Sequence, residues 1–262
     1  MNKVWLMGGF GNVLFQILAF NFLSKNNSNV FFIKQLVEKN KMTKFLGWSI
    51  HEPLYKELIG SEKIVSVNFI QLVLTVFCGF LSKKINRKFK FATFYKSGVE
   101  LKGTGSENIF GYFQHKSFLI ENKTLILELG EELRSKFELE NKAKIVVHYR
   151  KGDSNWALKY SNYYDAVKTM LLKESSTIII VTDSIDSANL FFLGIQNINI
   201  ISSKNALDDF KYLISCEKLY CAPSTFSWWA AHCLPQTSKV VVPDFFQNKL
   251  GLFLKNEQIT II

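Results

Sequence analysis

Residues 144–153, KIVVHYRKGD, hold the clearest structural signal in the chain. A short apolar run rich in β-branched residues ends abruptly in two cations, a glycine and an acid. Such a run, closed by a turn, reads as a buried strand. Four more runs of the same kind follow: TIIIVT at 177–182, INIIS at 198–202, KLYCA at 218–222 and KVVVP at 239–243. Helical patterns fill the gaps, at about 162–173, 185–193, 206–216 and 225–233. Hydrophobic strands alternating with helices predict a parallel sheet covered on both faces, in a Rossmann-like half. Ligands of such sheets bind beyond the carboxyl ends of the strands. That rule selects three loops: RKGDSNW after the first strand, DSID after the second and PSTFS after the fourth.

The beginning of the chain has a similar opening. KVWLM (3–7) reads as a strand, GGFGN (8–12) as a turn, Val13–Leu23 as an apolar helix and NVFFI (29–33) as the next strand. An α/β protein with two Rossmann-like halves is expected, divided into 1–135 and 136–262. Residues 35–142 are less regular. The apolar stretch 64–81, IVSVNFIQLVLTVFCGFL, is followed at once by the basic SKKINRKFK (82–90). Its length, with Asn68 and Gln71 inside it, favours a buried or surface-lying helix over a membrane span.

Composition narrows the class. Of 262 residues, 48% are hydrophobic and 21% charged, so a large core is available and disorder is disfavoured. The 24 Phe are core filler by the same argument. A net charge of +10 suits an anionic partner without saying which. No nucleic-acid signature accompanies it. Cys78, Cys216, Cys221 and Cys233 form neither C-x-x-C nor a zinc spacing, as expected of free thiols in a reducing cytosol. The N-terminus carries no signal-peptide pattern, because Gly8, Gly9, Gly11 and Asn12 interrupt its apolar stretch. A cytoplasmic location follows as an expectation.

Four constellations could carry chemistry. Gly9, Gly11 and Asn12 follow a strand, where glycines let backbone N–H groups approach a phosphate. The third glycine of a dinucleotide motif is missing, and the first acid in the chain is Glu38, so an NAD site is disfavoured. His148 and Arg150 share a strand face, and Arg150 with Lys151 suits a diphosphate. Asp183 ends a strand, where it could accept from a ribose hydroxyl or a guanine edge, or cap the next helix. Ser224, Thr225 and Ser227 sit where a strand passes into a helix, which is either an anion site or an ordinary cap. No hydrolase triad order, H-E-x-x-H helix or Walker motif occurs. Nor does a D-x-D loop, so no metal and no cofactor is expected.

Taken in order, these pieces resemble the bacterial α-1,2-fucosyltransferases. GGFGNVLFQ is similar to that family's G-G-L-G-N-Q-x-F-Q, GYFQ (111–114) to a short family tag, and HYRKGD to H-x-R-R-G-D. DFKYLISCEKLYCAPSTFSWW (209–229) resembles the family's D-x-x-L-M-S-x-C-x-H-x-I-I-A-N-S-S-F-S-W-W. The resemblance implies two Rossmann-like halves facing across a cleft, the GT-B arrangement, and inverting transfer from GDP-fucose without a metal. It implies an acceptor-side domain at 1–135 and a GDP-sugar-binding domain at 136–262. His148, Arg150 and Lys151 would meet the nucleotide and diphosphate, Asp183 the guanosine end, and Ser224, Thr225 and Ser227 the phosphates, with Phe226 also at the donor. Gly9, Gly11 and Asn12 complete that donor set. Lys151 stands where the family has its second Arg, and Pro223, Val13 and Lys218 replace a family Asn, Gln and His.

The leading expectation is therefore fucosyl transfer to a galactose 2-OH of a surface glycan such as O-antigen, lipid-linked acceptors included. Peripheral contact with the inner membrane follows from the basic apolar segment. Arg150 and Asp153 are the catalytic candidates, Asp153 as the base that takes the acceptor proton. A transferase for another nucleotide sugar, or a non-catalytic nucleotide- or nucleic-acid-binding protein, are the alternatives.

Overall fold

The computed structural model describes residues 2–26, 29–36, 58–59, 61–95, 101, 107–140, 142–151, 160–203, 205–254 and 258–262. The chain divides into two compact units, Met1–Ile126 and Leu127–Ile262.

The first unit holds a five-stranded sheet. Its strands are β1 (Asn2–Trp5), β2 (Val30–Ile33), β3 (Ile64–Val65), β4 (Ala92–Tyr95) and β5 (Asn108–Gly111). Their order is β3-β2-β1-β5-β4, and every pairing is parallel. Helix α1 (Phe10–Asn26) is apolar almost all round and buries Val13 to Phe20 without a break, as a helix of that composition must. Helix α2 (Phe69–Ile85) begins at Asn68, whose side chain accepts from Gln71 N, and ends at Asn86 in the left-handed conformation. Asn68 is thus a helix cap rather than a polar break within the apolar stretch. The inner face of α2 packs Leu72 and Val76 into a core with Trp5, Ala92, Phe94 and Phe110. Gly79 lets it approach, since a Cβ there would lie 2.7 Å from the Phe110 ring.

The division between the units falls inside a helix, α4 (Lys123–Phe137), which follows the short α3 (Lys116–Glu121). Six strands form the second sheet: β6 (Ala143–Tyr149), β7 (Ile178–Thr182), β8 (Ile198–Ile201), β9 (Cys216–Tyr220), β10 (Lys239–Val242) and β11 (Ile259–Ile261). The order is β11-β10-β9-β6-β7-β8, again all parallel. Helices α5 (Ser161–Leu171), α6 (Ile185–Phe191), α7 (Ala206–Ile214) and α8 (Thr225–Cys233) lie between strands in sequence. Counted from β6, the sheet runs 3-2-1-4-5-6, the doubly wound order whose ligand crevice opens where the winding reverses. Here that point is the junction of β6 and β9. The alternating strands and helices of this unit agree with the expected α/β fold.

Candidate active site

The loops after β6 and β9 meet the reversal point of the second sheet. Beyond Tyr149 the chain leaves the sheet through Arg150 and Lys151. Two groups hold this exit. The hydroxyl of Tyr164, on α5, accepts from Arg150 N at 3.2 Å. The carboxylate of Asp183, just past β7, accepts from Lys151 N at 2.9 Å. Its other oxygen lies 3.8 Å from Arg150 Nε. Asp183 therefore does not cap α6; Ser184 occupies that position. The Arg150 and Asp183 side chains are 39% and 42% exposed, so both remain accessible to a ligand.

From β9 the chain passes through Ala222 and Pro223 into α8. Ser224 is the N-cap, and its side chain accepts from Ser227 N. Ser227 Oγ in turn accepts from Ala222 N at 2.9 Å and meets His148 Nδ1 at 2.5 Å. This bond ties β6 to the start of α8 across 79 positions of sequence. His148 is buried, with its ring 5.3 Å from that of Phe226. Burial first, and the Arg150 charge second, lower its pKa to about 3. At neutral pH it is an uncharged ring, bonded to the hydroxyl that orders the helix start. Thr225 is half-buried and Phe226 buried. Trp228 and Trp229 are wholly buried, as packing residues are.

Together these groups place two cations, a carboxylate and the positive end of a helix along one sheet edge. Cations and a helix start favour a phosphate anion. Asp153 lies outside the described residues. Among the described residues, no group of three His, Cys, Asp or Glu is placed to hold a metal ion. Cys216, Cys221 and Cys233 are buried, and burial raises each thiol well above its ordinary range, so none is a ready nucleophile.

The GGFGN turn occupies the matching place in the first unit, at the carboxyl end of β1. Gly8 has φ 79° and sits where a Cβ would meet Asn12 Nδ2 at 2.8 Å. Gly9 O accepts from Asn12 N and Val13 N, which starts α1. Asn12 Oδ1 accepts from Gln114 Nε2 at 2.7 Å. Gln16, fully buried, accepts from Met7 N and donates to both Met7 O and Gly111 O. GGFGNVLFQ and GYFQ are thus fastened together beside β1 and β5. Gln16 and Tyr164 are the residues that sequence reasoning passed over as site members. A lone buried glutamine in an apolar helix was the signal for Gln16; Tyr164 gave none.

In sequence, no family model matches the chain and no curated protein matches it. Among solved structures, E. coli heptosyltransferase WaaC with ADP superposes with a TM-score of 0.51. The match covers 99% of this chain and 92% of that one, at 8% identity. The chain has a GT-B glycosyltransferase fold. Other GT-B structures align at lower similarity. The Bradyrhizobium NodZ α-1,6-fucosyltransferase soaked with GDP-fucose gives a TM-score of 0.42 at 12% identity, covering 89% of this chain and 92% of that one. A family 9 glycosyltransferase from Veillonella parvula gives 0.43 at 10%, covering 99% and 84%.

Proposed function

We propose that the chain is a glycosyltransferase that moves fucose from GDP-fucose to a hydroxyl of a glycan, the 2-OH of galactose in the first instance, with inversion. One observation carries the nucleotide-sugar part of this reading. At the β6–β9 reversal, Arg150 and Lys151 stand beside a hydroxyl-capped helix start, and His148–Ser227 locks the two together. A diphosphate leaving group needs such a cradle. A heptosyltransferase structure with ADP shares the fold, which agrees with a nucleotide ligand. The choice of fucose rests on the ordered motifs GGFGN, GYFQ, HYRKGD and STFSWW.

In the reaction, the acceptor oxygen bonds to the anomeric carbon as that carbon's bond to the β-phosphate oxygen breaks, and GDP departs. The accumulating charge on GDP falls to Arg150, Lys151 and the start of α8. Asp153 is the carboxylate this reading assigns to the acceptor proton.

A related transferase for another nucleotide sugar is favoured at one position. Lys151 stands where the fucosyltransferase pattern has Arg, and a lysine keeps charge but not the two-pronged bond. Release of nucleoside diphosphate, measured over a panel of donors with and without β-galactosides, decides between them. GDP release from GDP-fucose that depends on a galactoside is the expected result. Release from a different donor alone supports the second reading, and no release from any donor leaves a binding protein. The same assay in excess EDTA should retain activity, because two cations stand in for a metal at the diphosphate. Loss restored by manganese would contradict this.

A further inference from the structure

Helix α2 is apolar on two sides, and one of them faces solvent. Leu72, Thr75, Val76, Gly79 and Ser82 are its buried positions. Phe69, Ile70, Leu74 and Phe77 are 63%, 70%, 52% and 65% exposed, and Val73 is exposed beside them. At 3.6 residues per turn these five side chains fall within an arc of about 140°. Gln71, at the edge of that arc, does not interrupt it. An apolar helix face of this size is ordinarily covered.

The chemistry of its surroundings identifies the cover. The apolar arc ends at Lys84, with Lys83 just before it and Arg87, Lys88 and Lys90 after it, all exposed. No Asp or Glu occurs between Glu62 and Glu100, so nothing in this segment offsets those charges locally. Lys83 lies over the Phe94 ring at 4.7 Å and Lys88 over Tyr95 at 5.6 Å, which anchors the basic run to β4. Length excludes a crossing: Phe69 to Leu81 spans about 20 Å of helix against a hydrocarbon core of about 30 Å. Among the described residues, no helix is long and apolar enough to cross a membrane.

We propose that α2 is an interfacial helix that lays its outer face on an anionic lipid bilayer. Phe69, Ile70, Val73, Leu74 and Phe77 enter the boundary between headgroups and acyl chains, and Lys84, Arg87 and Lys90 meet lipid phosphates. A bilayer satisfies both halves of the surface at once, the apolar arc and the acid-free basic run. The inference is independent of the donor chemistry, because it concerns a helix of the first unit and its test uses no substrate.

The experiment is flotation of the purified full chain with phosphatidylcholine vesicles, with and without phosphatidylglycerol. At low salt the protein should float with the anionic vesicles and much less with the neutral ones. Phe69→Ser with Phe77→Ser should reduce partitioning at least tenfold. Lys84→Glu with Arg87→Glu should abolish the preference for anionic lipid. Both pairs alter solvent-facing positions, so circular dichroism should show the wild-type fold. A wild-type chain that stays out of the anionic vesicle fraction overturns the proposal, as does flotation of the variants at wild-type levels. A wild-type dimer that Phe69→Ser with Phe77→Ser converts to monomer also overturns it, by showing that a second copy covers the face.

Discussion

Arg150 is the side chain on which the donor reading turns. Its backbone N–H is engaged by Tyr164, and its guanidinium lies near Asp183 without closing to hydrogen-bond distance. Among the described residues its Nε, although shielded, makes no hydrogen bond. A diphosphate would bond instead to the exposed end of the guanidinium. Arg150→Ala should therefore lower kcat/KM by about ten- to a hundredfold or more, the worth of a charge-assisted bond of about 1.5–3 kcal/mol. The melting temperature should hardly move, since half-exposed ion pairs contribute little. Activity equal to wild type in steady-state kinetics would remove Arg150 from the donor site. The arginine was legible because a cation at the end of a buried strand is conspicuous in sequence. The bond from His148 to Ser227 was not, because it joins groups 79 positions apart and depends on β9 pairing with β6. Nor was the turn of Asp183 toward Lys151, since an acid before a helix reads equally well as a cap.

Helix packing makes a sharper test of the second unit. Replacing glycine by alanine inside a helix ordinarily stabilises it by roughly 0.5–1 kcal/mol. Gly130 in α4 should do the opposite. A Cβ there would stand 2.4 Å from the carbonyl oxygen of His232 in α8, a backbone atom that cannot swing aside. Gly130→Ala should lower the urea midpoint, with a cost of about 1–3 kcal/mol from overpacking. A midpoint at or above wild type would mean that the two helices have room to part. The strands from 144 to 243 were readable because each is a continuous apolar run bounded by turns. Strands β4 and β5 were not, being four residues each with no alternation to mark them. Strand β11 is three residues long and half-exposed, which leaves almost no apolar signal. Helix α2 was visible as an apolar segment, but composition does not tell which of two apolar faces the sheet will take.

Acid should loosen the molecule through two histidines. Burial lowers His148 to about 3 and His232 to about 4, the latter opposed by its bond to Trp228 O. An unfolded chain takes up these protons near pH 6.5, and the folded one does not until far lower pH. Stability is thus full above pH 6.5 and declines as pH falls through 6.5 toward 4. From pH 7 to pH 5 each histidine should account for roughly 2 kcal/mol. Urea denaturation of wild type and His232→Gln across that range is the measurement. The variant should show a shallower slope, whatever its absolute stability; parallel slopes would refute the assignment. The first sheet carries a different consequence, one for the chain as it leaves the ribosome. Strand β5 lies between β1 and β4, so the last strand made is not the last in the row. Until Gly111 has been synthesised, β1 has a single neighbour and β4 has none of its final partners. The Phe110 ring that receives Gly79 of α2 arrives in that same strand. A nascent chain stalled before residue 108 would therefore present α2 with its outer face bare and its inner face lacking the Phe110 ring, to chaperones and lipid alike.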